Sequence, residues 1–537
     1  MSLLSVQDLS LDIHSVPILR DVSFDIEAGK VFGLVGESGS GKSMTALACM
    51  GLLPGGAAPQ GKAEFRGENL IGLPERQLCR VRGAEVGMIF QEPMTALNPV
   101  QCIGDQVAET LVIHGAASRS AALDLAREKL DRVGLTADRF PLSRFPHELS
   151  GGQRQRVCIA MAVALRPKLL IADEPTTALD VTTQAQILGL LDELRQETGM
   201  ALWLITHDLA VVADLADHVA VMKDGEVVEA DATEALFRRR NHPYTRALFA
   251  ASEHVPNRKV TSGSMPVLEA EGVVRDYRLP RSSLFRPADR LRAVDGVSLR
   301  VNAGESVGLV GESGCGKSTL TRAILGLEPL EQGGIQLVGR EVVAPQVPPD
   351  LRRRMQVVFQ DPFGSFNPRH KVARLVAEPF HLLGDVPDAQ DRVDAALTDV
   401  GLSAADKDRY IHEFSGGQRQ RIAIARALIT RPDLIVLDEA VSALDVRVRA
   451  QILNLLADLQ AEYRMSFLFI SHDLGVVRAI TDRVLVMRAG RIVEEGPTAR
   501  VFSAPEHDYT KTLIAAAPQI PKEWREERAN GAGQALG

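Results

Sequence analysis

Two glycine-rich segments of this sequence have the residue types that bind phosphate groups. Each follows a short apolar run and ends in a lysine and a serine that open a helical pattern. Inward main-chain N–H groups and a helix N-terminus attract phosphate oxygens, the lysine can reach β- and γ-phosphates, and the serine can bind Mg²⁺. The predicted phosphate-binding residues are Gly36, Glu37, Ser38, Gly39, Ser40, Gly41, Lys42, Ser43 and Met44, and Gly311, Glu312, Ser313, Gly314, Cys315, Gly316, Lys317, Ser318 and Thr319.

Two acidic pairs supply groups for the hydrolysis of a bound phosphoanhydride. Asp173-Glu174 and Asp438-Glu439 each end an apolar run that is typical of a buried strand. Because side chains alternate along a strand, the two carboxylates of a pair have different roles. We expect each aspartate to hold the Mg²⁺ shell and each glutamate to polarise the attacking water as a general base. A surface acidic pair is the alternative, and the phosphate-binding loop in the same half argues against it.

Histidines and glutamines at other strand ends complete each set. His207 and His472 each lie 33 residues after the glutamate and are predicted to sense the γ-phosphate and hold the water. Gln91 and Gln360 also follow apolar runs, where an amide can bind Mg²⁺ or the attacking water. The alternative is that the histidines are structural and the glutamines are solvated loop residues. Their recurrence in both halves of the chain argues against it. The predicted metal-binding residues are Ser43, Gln91, Asp173, Ser318, Gln360 and Asp438.

The elements that position these residues occur twice along the chain. Lys317 follows Lys42 by 275 residues, and from Ser150 onward the matching motif residues lie 265 apart. A glycine-rich surface turn could explain one match, but chance similarity does not hold register over this length. In each half, β-type apolar runs alternate with helical patterns. The sequence therefore predicts an α/β fold with a mainly parallel sheet and crossover helices in each half.

Composition excludes several classes of protein. The chain has 537 residues, 45% of them hydrophobic, a net charge of −8 and five scattered cysteines. We expect several folded cores, no membrane span or secretory signal, no disulfide or zinc framework, and no role in coating nucleic acids. A polar stretch at 253–265 is predicted to be a linker and 523–537 a disordered tail. The predicted domains are therefore 1–252 and 266–522.

A serine-glycine-glycine-glutamine motif precedes each acidic strand. With the phosphate-binding loops, this motif resembles the signature of the ATP-binding cassette (ABC) family, over nearly the whole chain and twice. The resemblance implies two tandem P-loop NTPase domains, each a mixed, mainly parallel sheet with a helical signature subdomain and a small antiparallel β subdomain. The signature residues that it implies for nucleotide binding are Ser150, Gly151, Gly152, Gln153, Ser415, Gly416, Gly417 and Gln418.

The resemblance also implies how the halves cooperate. In the family each signature binds ATP held by the opposite domain, so Lys42 would share a nucleotide with Ser415, and Lys317 with Ser150. The fusion then makes a second ATPase chain unnecessary. Tyr277 matches the family's adenine-stacking aromatic, but the first half has Ile13 beside His14 at that position, which leaves adenine stacking there open.

Two further motifs are similar to those of the oligopeptide, dipeptide and nickel importer subfamily. They are the segments after Gln91 and Gln360, and Asn241-His-Pro-Tyr-Thr with its counterpart Glu506-His-Asp-Tyr-Thr. The arginine-dotted insertion between Arg278 and Arg292 is also similar to this subfamily. The fused layout most resembles Yej-type peptide importers, with glutathione importers second. No cysteine follows Tyr244 within the first half and none follows Tyr509, so no iron–sulfur cluster is expected.

The subfamily implies an ATPase at the cytoplasmic face of the bacterial inner membrane. Its cofactors would be ATP and Mg²⁺, and its partners two permease subunits and, through them, a substrate-binding protein. We expect Pro93, Leu97 and Pro99, and Pro362, Phe366 and Pro368, to form rigid grooves that grip a permease helix. The alternatives are a glutathione or nickel importer, or a soluble tandem ABC ATPase that acts on ribosomes or DNA. A short linker and the lack of a zinc module argue against that last class.

Overall fold

The computed structural model describes residues 2–177, 179–258, 263–278, 290–361, 363–442 and 444–524. It forms two compact units. The first comprises the described parts of Met1–Leu179, Thr183–Glu253 and Pro518–Gly537, and the second those of Asp180–Thr182 and His254–Ala517. Most of the insertion between Arg278 and Arg292, the groove residue Pro362 and the tail from 525 onward lie outside the described residues.

The first unit contains two sheets and ten α-helices among its described residues. Its antiparallel sheet has the order β2-β1-β4-β5, and its second sheet the order β10-β9-β3-β8-β7-β6. The strands are β1 Ser2–Ile13, β2 Val16–Glu27, β3 Val31–Val35, β4 Ala57–Phe65, β5 Glu68–Asn69, β6 Val86–Ile89, β7 Leu169–Asp173, β8 Ala201–Thr206, β9 His218–Lys223 and β10 Glu226–Ala232. The helices are α1 Lys42–Cys49, α2 Glu75–Val81, α3 Pro93–Ala96, α4 Ile103–Ile113, α5 Arg119–Arg132, α6 Gly151–Ala162, α7 Val181–Thr198, α8 Leu209–Leu215, α9 Thr233–Arg239 and α10 Pro243–Ser252.

The second unit repeats this plan. Its sheets have the orders β12-β11-β14-β15 and β16-β17-β18-β13-β19-β20. The strands are β11 Pro266–Arg278, β12 Arg290–Asn302, β13 Ser306–Val310, β14 Gln332–Leu337, β15 Arg340–Glu341, β16 Met355–Val358, β17 Leu434–Asp438, β18 Ser466–Ile470, β19 Arg483–Arg488 and β20 Arg491–Pro497. The helices are α11 Lys317–Ile324, α12 Pro349–Arg352, α13 Val372–Val376, α14 Ala389–Asp399, α15 Gly416–Leu428, α16 Val446–Tyr463, α17 Leu474–Ile480, α18 Thr498–Ser503 and α19 Asp508–Ala515.

The six-stranded sheets explain why the motif residues converge. In the first unit β3 pairs in parallel with β8 and β9, and β8 continues to β7 and β6. Every residue of β3 is buried, as expected for a central parallel strand covered on both faces. The carboxyl ends of these strands share one edge, which brings the phosphate-binding loop, the acidic pair and the histidine together. The predicted α/β fold class is confirmed in both units.

A helical layer carries the signature motif in each unit. In the first unit α4 and α5 pack on each other and on α6, and their apolar residues join one buried cluster with the back of β7 and β8. The second unit builds the same layer from α13, α14 and α15. The small antiparallel sheet packs on the other side of the six-stranded sheet in each unit, so each unit has the subdomains that the family resemblance implies.

Candidate active sites

Each phosphate-binding loop leaves the end of a buried strand and enters a helix through a left-handed glycine. Gly41 precedes α1 with φ 101°, and Gly316 precedes α11 with φ 111°. A Cβ atom on Gly316 would lie 2.2 Å from the carbonyl oxygen of Ala293, and one on Gly41 would lie 2.7 Å from a methyl of Leu19. Close packing and positive φ therefore both require glycine at these two positions.

The loop lysines fold back along their own loops. Lys42 donates from Nζ to the carbonyl oxygens of Gly36 and Glu37, at 2.9 and 2.8 Å. Lys317 makes the same bonds to Gly311 and Glu312, at 2.6 and 2.8 Å. Both lysines are buried, and each ammonium is held against the first two residues of its own loop.

Oxygen ligands suited to Mg²⁺ gather beside each loop. Ser43 donates from Oγ to Oδ1 of Asp173 at 3.0 Å. Burial raises the pKa of Asp173 to about 6 despite that hydrogen bond, and the charge of Glu174 adds to the increase. A buried carboxylate with a raised pKa is one that a bound cation would stabilise, so the donor set fits a hard divalent ion.

The second unit brings its predicted metal-binding residues to one cavity. Ser318, Gln360 and Asp438 line a cavity of about 810 Å³ together with Phe359 and Arg426. Burial also raises the pKa of Asp438, and the neighbouring charge of Glu439 raises it further. The same kind of oxygen ligands therefore gathers in both units.

Glu174 is the centre of a hydrogen-bonded group in the first unit. Its carboxylate accepts from Nε2 of Gln91 at 3.0 Å and from Oγ1 of Thr177 at 2.8 Å, and it lies 3.4 Å from Nδ1 of His207. Burial opposes ionisation, but His207, Thr177 and the charge of Lys42 together lower the pKa of Glu174 to about 2. Glu174 is therefore a fixed anion whose oxygens are oriented by three side chains.

The counterpart in the second unit is oriented differently. Oε1 of Glu439 lies 3.2 Å from Nδ1 of His472. Ser442, which corresponds to Thr177, donates instead to the carbonyl oxygen of Glu439 at 2.9 Å. Burial opposes ionisation of Glu439 as well, but His472 and Lys317 hold its pKa below the usual range.

Both glutamates have a left-handed backbone, with φ 47° at Glu174 and 51° at Glu439. Such a conformation is rare for a residue with a Cβ and costs energy. It occurs at the residue that directly follows the last residue of β7 and of β17. The strain falls at the same position in both halves, next to the candidate chemistry.

The signature motifs form capped helix N-termini. Ser150 accepts at Oγ from the main-chain N–H of Gln153 at 3.4 Å, and its own N–H donates to Oε1 of Gln153 at 2.9 Å. Ser415 and Gln418 form the same reciprocal pair at 3.4 and 3.0 Å. This capping box fixes the first turn of α6 and α15, whose N–H groups can attract an anion.

Tyr277 is the next-to-last residue of β11, and its hydroxyl is held by a hydrogen bond. It donates to Oε2 of Glu328 at 2.6 Å, and the Arg275 guanidinium lies 5.0 Å from its ring centre. Tyr277 pairs with Leu291 on β12, and Ile13 pairs with Val16 on β2 at the matching point of the first unit. Strand register thus agrees with the sequence match between Tyr277 and Ile13.

The prediction that Leu97 and Phe366 form part of a groove surface is wrong. Leu97 and Phe366 are buried within the helical layers, with 3% and 5% of their surface exposed, because they pack against the signature helices. Neither can contact a partner directly. Exposed apolar side chains do occur in or directly before these segments, among them Phe90 and Met94 in the first unit and Phe359 and Phe363 in the second.

Two kinds of hydroxyl contact cannot be read from the sequence motifs. Nothing in the motifs distinguishes Thr177, although its bond to Glu174 is among the shortest at the site. Tyr244 and Tyr509 stand out in the sequence only as parts of a repeated motif, and their hydroxyls accept from main-chain N–H groups of the two phosphate-binding loops. The repeat at a spacing of 265 was the one sequence signal that could have pointed to the tyrosines.

Family models match both halves of the chain. The ABC transporter model matches residues 19–177 and 294–442, which is more than half of the chain. The model for the oligopeptide/dipeptide transporter C-terminal region matches residues 228–270 and 493–536. Among the residues that the structure describes, none of the helices has the length and apolar character needed to cross a membrane.

Similar proteins align over nearly their full length. The peptidoglycan transport ATP-binding protein YejF of Agrobacterium fabrum is 48% identical, over 96% of this chain and 97% of that protein. The glutathione import ATP-binding protein GsiA of Salmonella typhimurium is 47% identical, over 96% of this chain and 89% of that protein. A solved structure, cbiO1 from Clostridium perfringens, part of the ABC transporter complex cbiONQ, is 28% identical over 45% of this chain and 92% of its own, with a TM-score of 0.39.

Proposed function

Because this chain belongs to the ABC transporter family, we propose that it is the ATP-hydrolysing subunit that energises an importer of peptides or peptide-like substrates. It is an ABC ATPase with two fused cassettes. The observation that carries the proposal is its similarity, over nearly the whole chain, to relatives whose names specify peptidoglycan transport and glutathione import. Two matches to the oligopeptide/dipeptide transporter C-terminal region support the same substrate class.

The experiment is reconstitution with the cognate permeases and substrate-binding protein in proteoliposomes. Uptake of a peptide library, glutathione and Ni²⁺ would be measured with ATP enclosed on the side of the ATPase. We expect peptides to be taken up, and glutathione, itself a tripeptide, is the second candidate because of the similarity to GsiA. Uptake of Ni²⁺ alone, or stable association with ribosomes or DNA and none with permeases, would contradict the proposal.

We propose that two permease subunits dock beside the exposed apolar residues and that the chain lies at the cytoplasmic face of the inner membrane. In the second unit a single cavity is lined by Gln360 and Asp438 and also by Phe359, Pro379 and Leu382. A helix seated against the apolar side of this cavity, at Phe359, Pro379 and Leu382, would touch the loop that carries Gln360 and leave the metal-binding side free. Closure around ATP would then reach the membrane partner as a rigid-body shift.

The side chains at the two sites support one set of catalytic roles. Lys42 and Lys317 would bind the β- and γ-phosphates. Ser43 with Asp173, and Ser318 with Asp438, would hold Mg²⁺, which when bound would neutralise charge on the phosphate oxygens. Gln91 and Gln360 would connect that metal site to the attacking water.

Glu174 and Glu439 would accept a proton from the attacking water, and His207 and His472 would keep those carboxylates in place. Replacing both glutamates by Gln keeps the shape of each site but removes the base. We expect ATP binding to persist and turnover to fall roughly 10²- to 10⁴-fold per site. Unchanged turnover in the double variant would contradict these roles.

We also propose composite sites, as the family implies, in which Lys42 works with the signature of Ser415, and Lys317 with that of Ser150. Lys42→Ala and Ser415→Arg would then damage one nucleotide site, and their effects on site occupancy would be strongly non-additive. Lys42→Ala with Ser150→Arg would damage both sites. Control of the Lys42 site by Ser150, measured as nucleotide occupancy, would argue against this arrangement.

A further inference from the structure

The repeated motif near the end of each cassette contains a buried tyrosine that touches the phosphate-binding loop of its own unit. The hydroxyl of Tyr244 accepts from the main-chain N–H of Glu37 at 3.3 Å. The hydroxyl of Tyr509 accepts from the N–H of Glu312 at 3.0 Å. The two bonds occur in separate units, about 200 residues along the chain from each loop, so the same contact arises twice from the duplicated sequence.

The other residues of the motif fix the position of the tyrosine through hydrogen bonds at the start of α10. His242 begins α10 and accepts at Nδ1 from the N–H of Tyr244 at 3.2 Å. The carboxylate of Glu229 on β10 accepts from the N–H groups of Asn241 and His242, at 2.8 and 3.0 Å. The start of α10 is therefore fastened to the sheet by a charged group, which fixes the direction of the tyrosine.

The second unit repeats these contacts with the corresponding residues. His507 accepts at Nδ1 from the N–H of Tyr509 at 3.1 Å, and Glu494 on β20 accepts from the N–H groups of Glu506 and His507, at 2.8 and 3.0 Å. Burial raises the pKa of Tyr509 to about 12. The phenol thus remains neutral at physiological pH and accepts the hydrogen bond as a hydroxyl.

A cation covers each tyrosine ring. Nζ of Lys223 lies 5.5 Å from the ring centre of Tyr244, and the guanidinium of Arg488 lies 4.9 Å from that of Tyr509. Both cations belong to the strands, β9 and β19, that pair with the strand leading into the loop. Cation and sheet together leave the ring little freedom to turn.

The peptide groups flanking Glu37 are held at both ends. The N–H of Glu37 donates to Tyr244, while the carbonyl of Glu37 accepts from Lys42 at 2.8 Å. In the second unit Tyr509 and Lys317 hold Glu312 in the same way, with the lysine at 2.8 Å. A shift at this residue would therefore also shift the orientation of the loop lysine.

We propose that Tyr244 and Tyr509 are positioning residues, whose hydroxyls fix the first turn of each phosphate-binding loop for ATP. The inference rests on the proposed role of Lys42 and Lys317 in phosphate binding. It makes the C-terminal motif of each cassette a working part of its nucleotide site. The alternative is that the tyrosines only pack α10 and α19. Removing the hydroxyl while keeping the ring distinguishes the positioning role from the packing role.

The test is Tyr244→Phe and Tyr509→Phe in the full-length chain, since Phe keeps the ring and removes one oxygen. Hydrogen–deuterium exchange would be followed in the loop peptides 31–43 and 306–318, and MgATP affinity by equilibrium binding. We expect Tyr244→Phe to speed exchange only in the first loop and Tyr509→Phe only in the second. Each should weaken ATP binding at its own site about 2- to 10-fold, the value of one hydrogen bond.

The chain provides matched controls. Ser252→Ala removes a hydroxyl from α10 that donates along the helix to the carbonyl of Phe249, and Thr512→Ala removes one from α19 that donates to the carbonyl of Asp508. Neither should alter loop exchange or ATP affinity. Thermal unfolding without nucleotide should remain close to that of the parent in all four variants.

Two outcomes would overturn the inference. One is unchanged loop exchange and ATP affinity in both Phe variants. The other is faster exchange in α10 or α19 with the loops unaffected, which would assign the tyrosines to packing alone. The variant Lys42→Ala with Lys317→Ala tests the underlying proposal separately: if it binds ATP like the parent, the phosphate-site assignment fails, whatever the tyrosine variants show.

Discussion

At the scale of single residues, one hydroxyl distinguishes the two candidate general bases. Thr177 donates to the carboxylate of Glu174, whereas Ser442 donates to the main-chain oxygen of Glu439. The hydrogen bond from Thr177 restricts the orientation of the Glu174 carboxylate. The bond from Ser442 ends at a main-chain oxygen and does not restrict the carboxylate of Glu439. The carboxylate of the candidate base is therefore more restrained in orientation at the first site than at the second, although the two motifs are nearly the same.

This difference predicts unequal effects of removing the hydroxyl. Thr177→Val should lower kcat at the first site about 2- to 10-fold with little change in KM for ATP, because the lost bond orients the base and not the nucleotide. Steady-state hydrolysis would be measured with Glu439→Gln, so that only the first site turns over. Thr177→Ser should restore the rate. Ser442→Ala, measured with Glu174→Gln, is the matched control, and an equal loss there would refute the distinction.

At the scale of elements, the exposed apolar side chains near Gln91 and Gln360 give a prediction about coupling. Met94 and Phe363 are 59% and 42% exposed, so an acidic residue there is tolerated by the fold but not by an apolar partner surface. Met94→Asp with Phe363→Asp should keep basal ATPase activity and lose co-purification with the permeases and substrate uptake. Met94→Leu with Phe363→Leu is the control. Normal uptake by the acidic pair would place the contact elsewhere.

The start of α19 gives a second prediction at this scale, on pH. Burial works against ionisation of Glu494, but the N–H groups of Glu506 and His507 outweigh it, so its pKa is lowered on folding. The carboxylate therefore stabilises the fold above its unfolded pKa of about 4.3, and this contribution is lost as the pH falls through the lower folded value. Glu494→Gln should reduce the unfolding temperature at pH 7 by about 2–4 °C, as for loss of a helix cap.

The deficit of Glu494→Gln relative to the parent should shrink as the pH falls below about 4.3 and through the lower folded pKa of Glu494, below which parent and variant are both uncharged at this position. Differential scanning calorimetry between pH 3 and pH 7 measures it. Glu495→Gln, one residue along β20, is a comparison with the same change of charge and no bond to α19. A deficit that stays constant with pH would mean that the carboxylate charge does not hold the helix.

The sequence predicts the elements better than their side-chain contacts. The hydrophobic periodicity and the internal repeat of the sequence predict the parallel sheets and both phosphate-binding loops, because these patterns and the conformation of glycine depend on neighbouring residues along the chain. Leu97 shows the limit: an apolar residue in an exposed-looking loop is predicted as a contact surface, but it turns inward against α6. The bond between Tyr244 and Glu37 joins residues 207 apart, and only the fold brings them together.

At the scale of the whole molecule, the described residues from Pro518 belong to the first unit, whereas the preceding α19 belongs to the second. Trp524 packs edge-on against Phe237, with ring centres 5.5 Å apart, and Arg238 donates to the carbonyl oxygen of Glu523 at 2.9 Å. Arg240 donates to the carbonyl oxygen of Trp524 at 3.4 Å. The sequence pattern predicts a disordered tail from 523, but residues 523 and 524 lie in this short turn, Lys522–Trp524.

This contact predicts that the segment stabilises the first unit. Phe237 is fully buried and contacts Phe249, so Trp524 covers an aromatic pair that holds α9 against α10. Trp524→Ala should destabilise these helices by about 1–2 kcal/mol, the value of burying part of an aromatic side chain. Hydrogen–deuterium exchange in peptides 233–252 should therefore accelerate, while exchange in the central strands of the second unit should not. Deleting 518–537 should reproduce the effect, whereas deleting 525–537 should not, because only the shorter deletion leaves Trp524 in place. Equal exchange in the two truncated chains would show that the turn contributes nothing to the first unit.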